Sequence, residues 1–194
     1  IMVKLGEVNE ADIASFDIFL NALEFNEADG TAAKGNSLLD EASALTETVE
    51  MGAVTFKHSA NWQVLETSDD SVSLRPSNNN YNLELSYGDS DGLTNDDMHD
   101  KSVRQKFIDL LESSANEDFA LKEIVDDRTA TVDGKKAFIL QFTATIQGVD
   151  VYMLDAVFVH DDLLYDVTLM KISELTQDDM KAFSLLLNAI DVAE

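Results

Sequence analysis

The sequence predicts an α+β fold: a mostly antiparallel sheet with a C-terminal three-stranded meander, flanked by two amphipathic helices and preceded by an additional N-terminal extension. Three observations point there. Residues 129–170 (TATVDGKKAFILQFTATIQGVDVYMLDAVFVHDDLLYDVTLM) break at Gly148 and at Asp161-Asp162 into segments that alternate with the period of two that a strand requires. Residues 96–113 and 176–190 instead space their apolar side chains three and four apart, as an amphipathic helix does. From residue 52 onward the order is strands, helix, strands, helix, which leaves the helices to pack on sheet faces.

Residues 1–50 form the extension and 51–194 the main domain, with the boundary near Met51-Gly52. In the extension, 13–25 (IASFDIFLNALEF) alternates over Ala14, Phe16, Ile18, Leu20 and Ala22, as a strand does. A helix also suits it, with Asn9 as cap, Glu10 and Asp12 in the first turn and Gly30 to end it. Its aromatic content favours the strand. Residues 26–36 are small, polar and glycine-bearing, the composition of a linker. Residues 37–51 read as a helix with Leu38, Leu39, Ala42, Leu45 and Val49 along one side.

The domain opens with short strands at 53–57, at 61–66 with Trp62 as core anchor, and at 71–75, ended by the only proline, Pro76. A polar turn at Asn78-Asn79-Asn80 leads into 81–87, where Tyr81, Leu83, Leu85 and Tyr87 alternate with Asn82, Glu84 and Ser86. The acidic loop GDSDGLTNDDMHD feeds the helix at 96–113, capped by Thr94 or Asn95, with Val103, Phe107, Leu110 and Leu111 as its buried stripe. A fourth strand of the C-terminal sheet precedes Asp133-Gly134. The last helix starts at Thr176, which has capping-box spacing to Asp179, and Leu175 is placed to staple onto Met180. Met180, Phe183, Leu187 and Ile190 form its core side.

Within the meander, Phe138, Leu140, Phe142, Ala144 and Ile146 share one face. A three-residue loop, Gly148-Val149-Asp150, sets Ile146 opposite Tyr152, Ala144 opposite Leu154, Phe142 opposite Ala156 and Leu140 opposite Phe158. That register keeps one face apolar throughout. A two-residue loop slips the pairing by one and sets Asp155 opposite Phe142, so the three-residue loop is expected. The hairpin at Asp161-Asp162 places Tyr165 opposite Phe158, Val167 opposite Ala156 and Leu169 opposite Leu154. Asp155, Asp166, Thr143 and Thr168 then fall on the second face among Met153, Val157 and Val159, and that half-apolar face needs a helix as cover.

The 194 residues carry 38 acidic against 13 basic side chains, a formal net charge of −25. Nucleic acid and anionic membrane surfaces are disfavoured as partners, because the nearest basic group is Lys101, Arg104 and Lys106 on one helix. The charge suits solubility, and its functional readings are a cationic partner or loosely held divalent ions. With no cysteine, disulfide and thiol chemistry are excluded, which suits an extracellular bacterial protein. No run approaches the ~20 apolar residues of a transmembrane helix. The sequence begins Ile1-Met2 without an apolar leader; a removed signal segment or lipobox accommodates that, and so does the lack of one.

The element order resembles the bacterial branch of the PsbP/Mog1-like fold. The residues that carry the resemblance are Asn61, Trp62 and Val64, the ladder YNLELSY, a helix after an acidic loop, VDGKKAFILQF, LLYDVTL, and a final helix containing Phe183 and Leu187. It covers roughly residues 52–192, leaving 1–50 outside. The resemblance implies a scaffold shared by a photosystem accessory subunit, a nuclear transport factor that binds a small GTPase, and bacterial lipoproteins. It implies no shared catalytic motif, so no site residue is carried over from it.

Asp89, Asp91, Asn95, Asp96, Asp97 and Asp100 make the densest cluster of oxygen ligands, and Asp89, Asp91, Asp96, Asp97 and Asp100 are the candidate calcium ligands. Calcium takes about 6–8 oxygens, and an EF-hand loop spaces them at positions 1, 3, 5, 7, 9 and 12. Counted from Asp89, Leu93 stands at position 5 and glycine comes too early, so a solvated loop leading into a helix explains the cluster better. His58, His99 and His160 are too far apart in sequence to suggest zinc, and His160 with Asp161 and Asp162 reads as a polar hairpin tip before an acid–base pair. Trp62, Tyr81, Tyr87, Phe138, Phe142, Phe158 and Tyr165 suit a sheet core before a ligand pocket. No nucleophile elbow, P-loop or dinucleotide fingerprint occurs.

The expected function is a non-enzymatic secreted or cell-surface accessory or binding domain, with a protein or cell-envelope partner, no catalytic residue and no cofactor. Two alternatives stand beside it. One is a carboxylate-dependent hydrolase whose site is assembled only in the fold, and the other a calcium-stabilised structural domain.

Overall fold

The computed structural model describes residues 37–77, 80–116 and 119–193. The strand-or-helix segment 13–25, the linker 26–36 and Asn78-Asn79 lie outside the described residues. In chain order the elements are α1 (Leu38–Ala42), β1 (Glu47–Met51), β2 (Val54–His58), β3 (Gln63–Thr67), β4 (Ser71–Arg75), β5 (Tyr81–Asp89), a 3-10 turn (Asn95–His99) and α2 (Lys101–Ser113). They continue with β6 (Phe119–Val132), β7 (Lys135–Ile146), β8 (Val149–His160), β9 (Leu163–Lys171), α3 (Gln177–Asn188) and β10 (Ile190–Val192). This is the expected α+β class. Seven strands form an antiparallel sheet in the order β3-β4-β5-β9-β8-β7-β6, and a second sheet runs β1-β2-β10.

Both faces of the large sheet are covered. On one, Leu83, Leu85, Leu154, Ala156, Phe158, Tyr165, Val167 and Leu169 pack with Phe183, Leu186 and Leu187 of α3, with Leu38 and Ala42 of α1, and with Phe56 of β2. On the other, the β7 row from Phe138 to Ile146 packs with Met153 and Val157 of β8 and with Val103, Phe107, Ile108 and Leu111 of α2. At ~1.5–3 kcal/mol per large buried side chain, those four residues of α2 contribute on the order of 6–12 kcal/mol before entropy.

Four local expectations are corrected. The helix expected over 37–51 ends at Ala42, and 47–51 is strand. Thr46, Thr48 and Val49 are β-branched, and pairing with β2 sets Val49 opposite Phe56, so tertiary pairing overrides the helical spacing. The helix expected over 96–113 breaks at Asp100, whose extended backbone and side-chain cap on Ser102 N (2.7 Å) separate the 3-10 turn from α2. Ile190 lies beyond α3 in β10, opposite Phe56.

The β7–β8 register is the fourth. The loop has two residues, Gln147 (φ 48) and Gly148 (φ 80), and it pairs Ile146 with Val149, Ala144 with Val151, Phe142 with Met153 and Leu140 with Asp155. Positive φ at both central residues marks a type I′ turn, whose twist matches that of the flanking strands. The same geometry recurs at Asp133-Gly134 and Asp161-Asp162. A single unbroken apolar face is not required once helices cover both faces. Asp155 therefore shares a face with Phe138, Leu140 and Phe142, and Thr143 moves to the opposite face. The β8–β9 pairing is the one expected, with Tyr165 opposite Phe158, Val167 opposite Ala156 and Leu169 opposite Leu154. The capping box at Thr176 and Asp179 also forms.

The small sheet is locked to the large one at Gly52, the β1–β2 turn. Ala53 N donates to Tyr165 Oη at 3.1 Å, and a Cβ on Gly52 (φ 59) would stand 2.9 Å from that oxygen. Residues on both sides of Met51-Gly52, including Leu38, Ala42, Val54 and Phe56, share one core. Gly52→Ala should cost about 1–3 kcal/mol, from backbone strain and from displacement of Tyr165 together. Gly92→Ala also sits at positive φ but has open space around it, so it should cost less. Equal shifts of the two denaturation midpoints would show that the Tyr165 contact contributes nothing.

Candidate functional site

Strand alternation brings three acids to the middle of one sheet face. Glu84 on β5 faces Thr168 on β9, Thr168 faces Asp155 on β8, and Ser86 faces Asp166. Asp155 and Asp166 are 2% and 4% exposed. Thr168 Oγ1 donates to Asp166 Oδ1 at 2.8 Å, which leaves Asp155 Oδ1 and Asp166 Oδ2 without a donor from any other group. Burial, then the charge and hydrogen bond of Asp166, push the Asp155 carboxyl well above the usual range. That environment favours the neutral form of Asp155 over the carboxylate. Burial also pushes Glu84 up, with Asp166 and Glu66 adding to it. Asp155 and Asp166 are both sealed from solvent.

The raised value gives the pair a sign in pH. Folded Asp155 holds its proton more tightly than the unfolded chain does, so its contribution is complete below the ordinary carboxyl value of 3.8 and is lost as pH rises through the raised one. Asp155→Asn removes the titrating group and supplies an N–H donor beside Asp166. It should flatten the fall of stability towards alkaline pH and raise the melting temperature at about pH 8 by roughly 2–8 °C, with less change near pH 5. Circular-dichroism melts at the two values decide it, and a variant that keeps the wild-type slope contradicts the raised Asp155 carboxyl.

A second polar group lies at the start of α3. Asp179, 3% exposed, accepts from Tyr81 Oη (2.6 Å), Lys171 Nζ (2.7 Å), Thr176 N (2.6 Å) and Thr176 Oγ1 (2.8 Å). Burial raises its carboxyl, but the hydrogen bonds from Lys171, Tyr81 and Thr176 outweigh that and hold it below the usual range. Tyr81 is pushed up by burial and by Asp179. Lys171 also donates to Glu174 O and sits over the Tyr81 ring. Each polar atom has a partner, so this knot fastens α3 to β5 and β9. Its members lie 98 residues apart at the extremes, and only the Thr176–Asp179 spacing was visible in the sequence.

Four of the five candidate calcium ligands, Asp89, Asp96, Asp97 and Asp100, use their side chains locally. Asp89 Oδ1 accepts from Asp91 N (2.7 Å), Asp96 pairs with Lys136 (2.6 Å), Asp97 accepts from Thr94 N and Oγ1, and Asp100 caps α2. The hydrogen bonds from Thr94 lower the Asp97 carboxyl, and those from Ser102 lower Asp100. Asn95 pins the loop to the sheet, donating to Lys136 O and Val159 O and accepting from Lys136 N. Among the described residues no group of three or more acidic or histidine side chains is placed to hold a metal ion. Millimolar calcium should therefore leave the melting temperature unchanged, and a rise reversed by chelator would restore a site in this loop.

The histidines stay apart. His58 stacks on Trp62, His99 Nε2 meets Ala130 O at 2.9 Å, and His160 Nε2 lies 3.4 Å from Asp161 Oδ2 at the hairpin turn. Trp62, Tyr81, Phe138, Phe142, Phe158 and Tyr165 are core residues, and Tyr87 packs on Tyr165. Trp62 Nε1 also donates to the buried Glu41 of α1 at 2.6 Å, a pairing with no trace in local sequence.

An open groove of about 460 Å³ lies between α2 and β6. Ile108, Leu121 and Ile124 form its apolar floor, and Glu112, Lys122 and Glu123 stand at its rim. β6 is an edge strand of 14 residues, and its pairing with β7 is interrupted by bulges at Lys122 and Val125.

No protein-family model matches the sequence, nor does any curated protein. Among solved structures, the solution structure of cyanobacterial PsbP (CyanoP) from Synechocystis sp. PCC 6803 matches at a TM-score of 0.60 and 14% identity, over 77% of this chain and 93% of that one. LpqN, described as involved in cell envelope biogenesis of Mycobacterium tuberculosis, matches at a TM-score of 0.45 and 14% identity, over 76% and 90%. An antiparallel sheet with helices on both faces gives the architectural class. Within it, the match to CyanoP gives this chain a PsbP-like fold, as the resemblance implied.

Proposed function

We propose that the protein is a non-enzymatic accessory domain of the bacterial cell surface that works by binding a partner protein or envelope component. One observation carries this reading. Asp155, whose carboxyl its surroundings push well above the usual range, is sealed within the sheet, whereas the open groove is lined by no histidine, serine or threonine. An enzyme of the carboxylate type needs a titratable group of shifted pKa in reach of substrate. The high acidity and absence of cysteine suit an exterior location. Among the described residues no helix is long and apolar enough to cross a membrane.

The rival hydrolase reading would route catalysis through Asp155 and Asp166 or through Glu112 and Glu123. A panel of chromogenic glycoside, ester and peptide substrates should show no turnover above buffer. Turnover that Glu112→Gln or Asp155→Asn abolishes would overturn the proposal. Protease shaving of intact cells should release peptides of this chain, and protection until lysis would remove the surface location.

A further inference from the structure

We propose that the groove between α2 and β6 docks an extended, cationic segment of a partner protein that carries apolar side chains between its charges. The inference rests on the binding-domain reading above and names the surface and the partner chemistry. Three features support it.

The first is the edge itself. One edge of the sheet is β3, five residues long; the other is β6, fourteen residues long, whose segment Leu121–Ile124 lines the groove where bulges loosen its pairing with β7. An edge strand offers backbone N–H and C=O groups to an added extended chain. The second is the floor. Ile108 and the half-buried Leu121 and Ile124 line the groove, and Val125 is 50% exposed beside them at a bulge. An apolar side chain of the incoming segment gains burial there.

The third feature is charge. Lys122 pairs with Asp150 at 2.5 Å, Arg104 with Asp127 at 3.4 Å, and Arg128 with Asp126. The cations of this region are thus neutralised, and Lys101 and Lys106 of α2 do not line the groove. Among the described ion pairs neither Glu112 nor Glu123 takes part, although both stand exposed at the rim. Two uncompensated carboxylates beside an apolar floor, in a chain of net charge −25, favour lysine or arginine flanking an apolar residue. The same charges repel a second copy of this edge.

The test uses fluorescence anisotropy with a labelled eight-residue peptide alternating lysine and leucine, a lysine–serine peptide of equal charge, and spermine as competitor. Two double variants of identical net charge are compared: Glu112→Lys/Glu123→Lys in the groove, and Glu47→Lys/Glu50→Lys on exposed positions of β1, both confirmed as folded by thermal melts. The lysine–leucine peptide should bind saturably and more weakly as salt rises, with the groove variant losing at least about tenfold in affinity and the β1 variant staying within about twofold. Equal loss in both variants would reduce the effect to net charge and overturn the proposal. Equal binding of the lysine–serine peptide, or full displacement by spermine at low concentration, would remove the apolar floor and with it the peptide ligand. If the groove fails in these ways while surface exposure and the absence of turnover hold, the binding-domain reading survives and only its location falls.

Discussion

The strands β8 and β9 are buried on both faces, and the rest of the structure follows from that constraint. From Val151 to Lys171 nearly every side chain is enclosed, by α1, α3 and β2 on one side and by α2 and the 3-10 turn on the other. Antiparallel sheets more often leave one face to solvent. Here any polar residue on the central strands must find its partner inside the protein. Lys171 does so at Asp179 and Tyr81, and Thr168 at Asp166. Asp155 has no such cation, and burial beside Asp166 pushes its carboxyl up instead. The helices are placed where these faces need cover, and the edges β3 and β6 are what remains for solvent.

Much of this was legible in the sequence, for identifiable reasons. The α+β class, the β8–β9 pairing and the Thr176 capping box rest on local spacing, and spacing survives folding. The β7–β8 register was misread because one continuous apolar face was assumed, whereas the type I′ turn at Gln147-Gly148 answers to backbone twist. That misreading concealed that Asp155 lies opposite Leu140 in a core. The helix expected over 37–51 stops at Ala42, because from Glu47 onward pairing with β2 outweighs helical spacing. Glu41 with Trp62, and Tyr81 with Asp179, are contacts between residues distant in sequence, and nothing near either partner announces the other.

The acids of this chain fall into kinds that composition cannot separate. Asp89, Asp96, Asp97 and Asp100, in the acidic loop, bond to a turn, a helix cap or a lysine. Asp155, Asp166 and Glu84 looked like ordinary strand polarity and occupy the sheet interior. Glu112 and Glu123 stand exposed at the rim of an open groove floored by Ile108, Leu121 and Ile124. A net charge of −25 is therefore a poor guide to function until each carboxylate is traced to what it touches.

The small sheet β1-β2-β10 has a consequence for how the chain comes to be folded. Its middle strand, β2, needs both β1, its immediate neighbour in sequence, and β10, more than a hundred residues later, where Ile190 meets Phe56 and Ala193 N reaches Ala53 O. During synthesis from the N-terminal end, β2 emerges early and waits with one edge unpaired until residues 190–193 have left the ribosome. Closure of the large sheet meets a similar delay, because β5 pairs with β9 rather than with its successor. Both sheets thus depend on contacts between strands far apart in sequence, which places loop closure ahead of the pairing that rewards it.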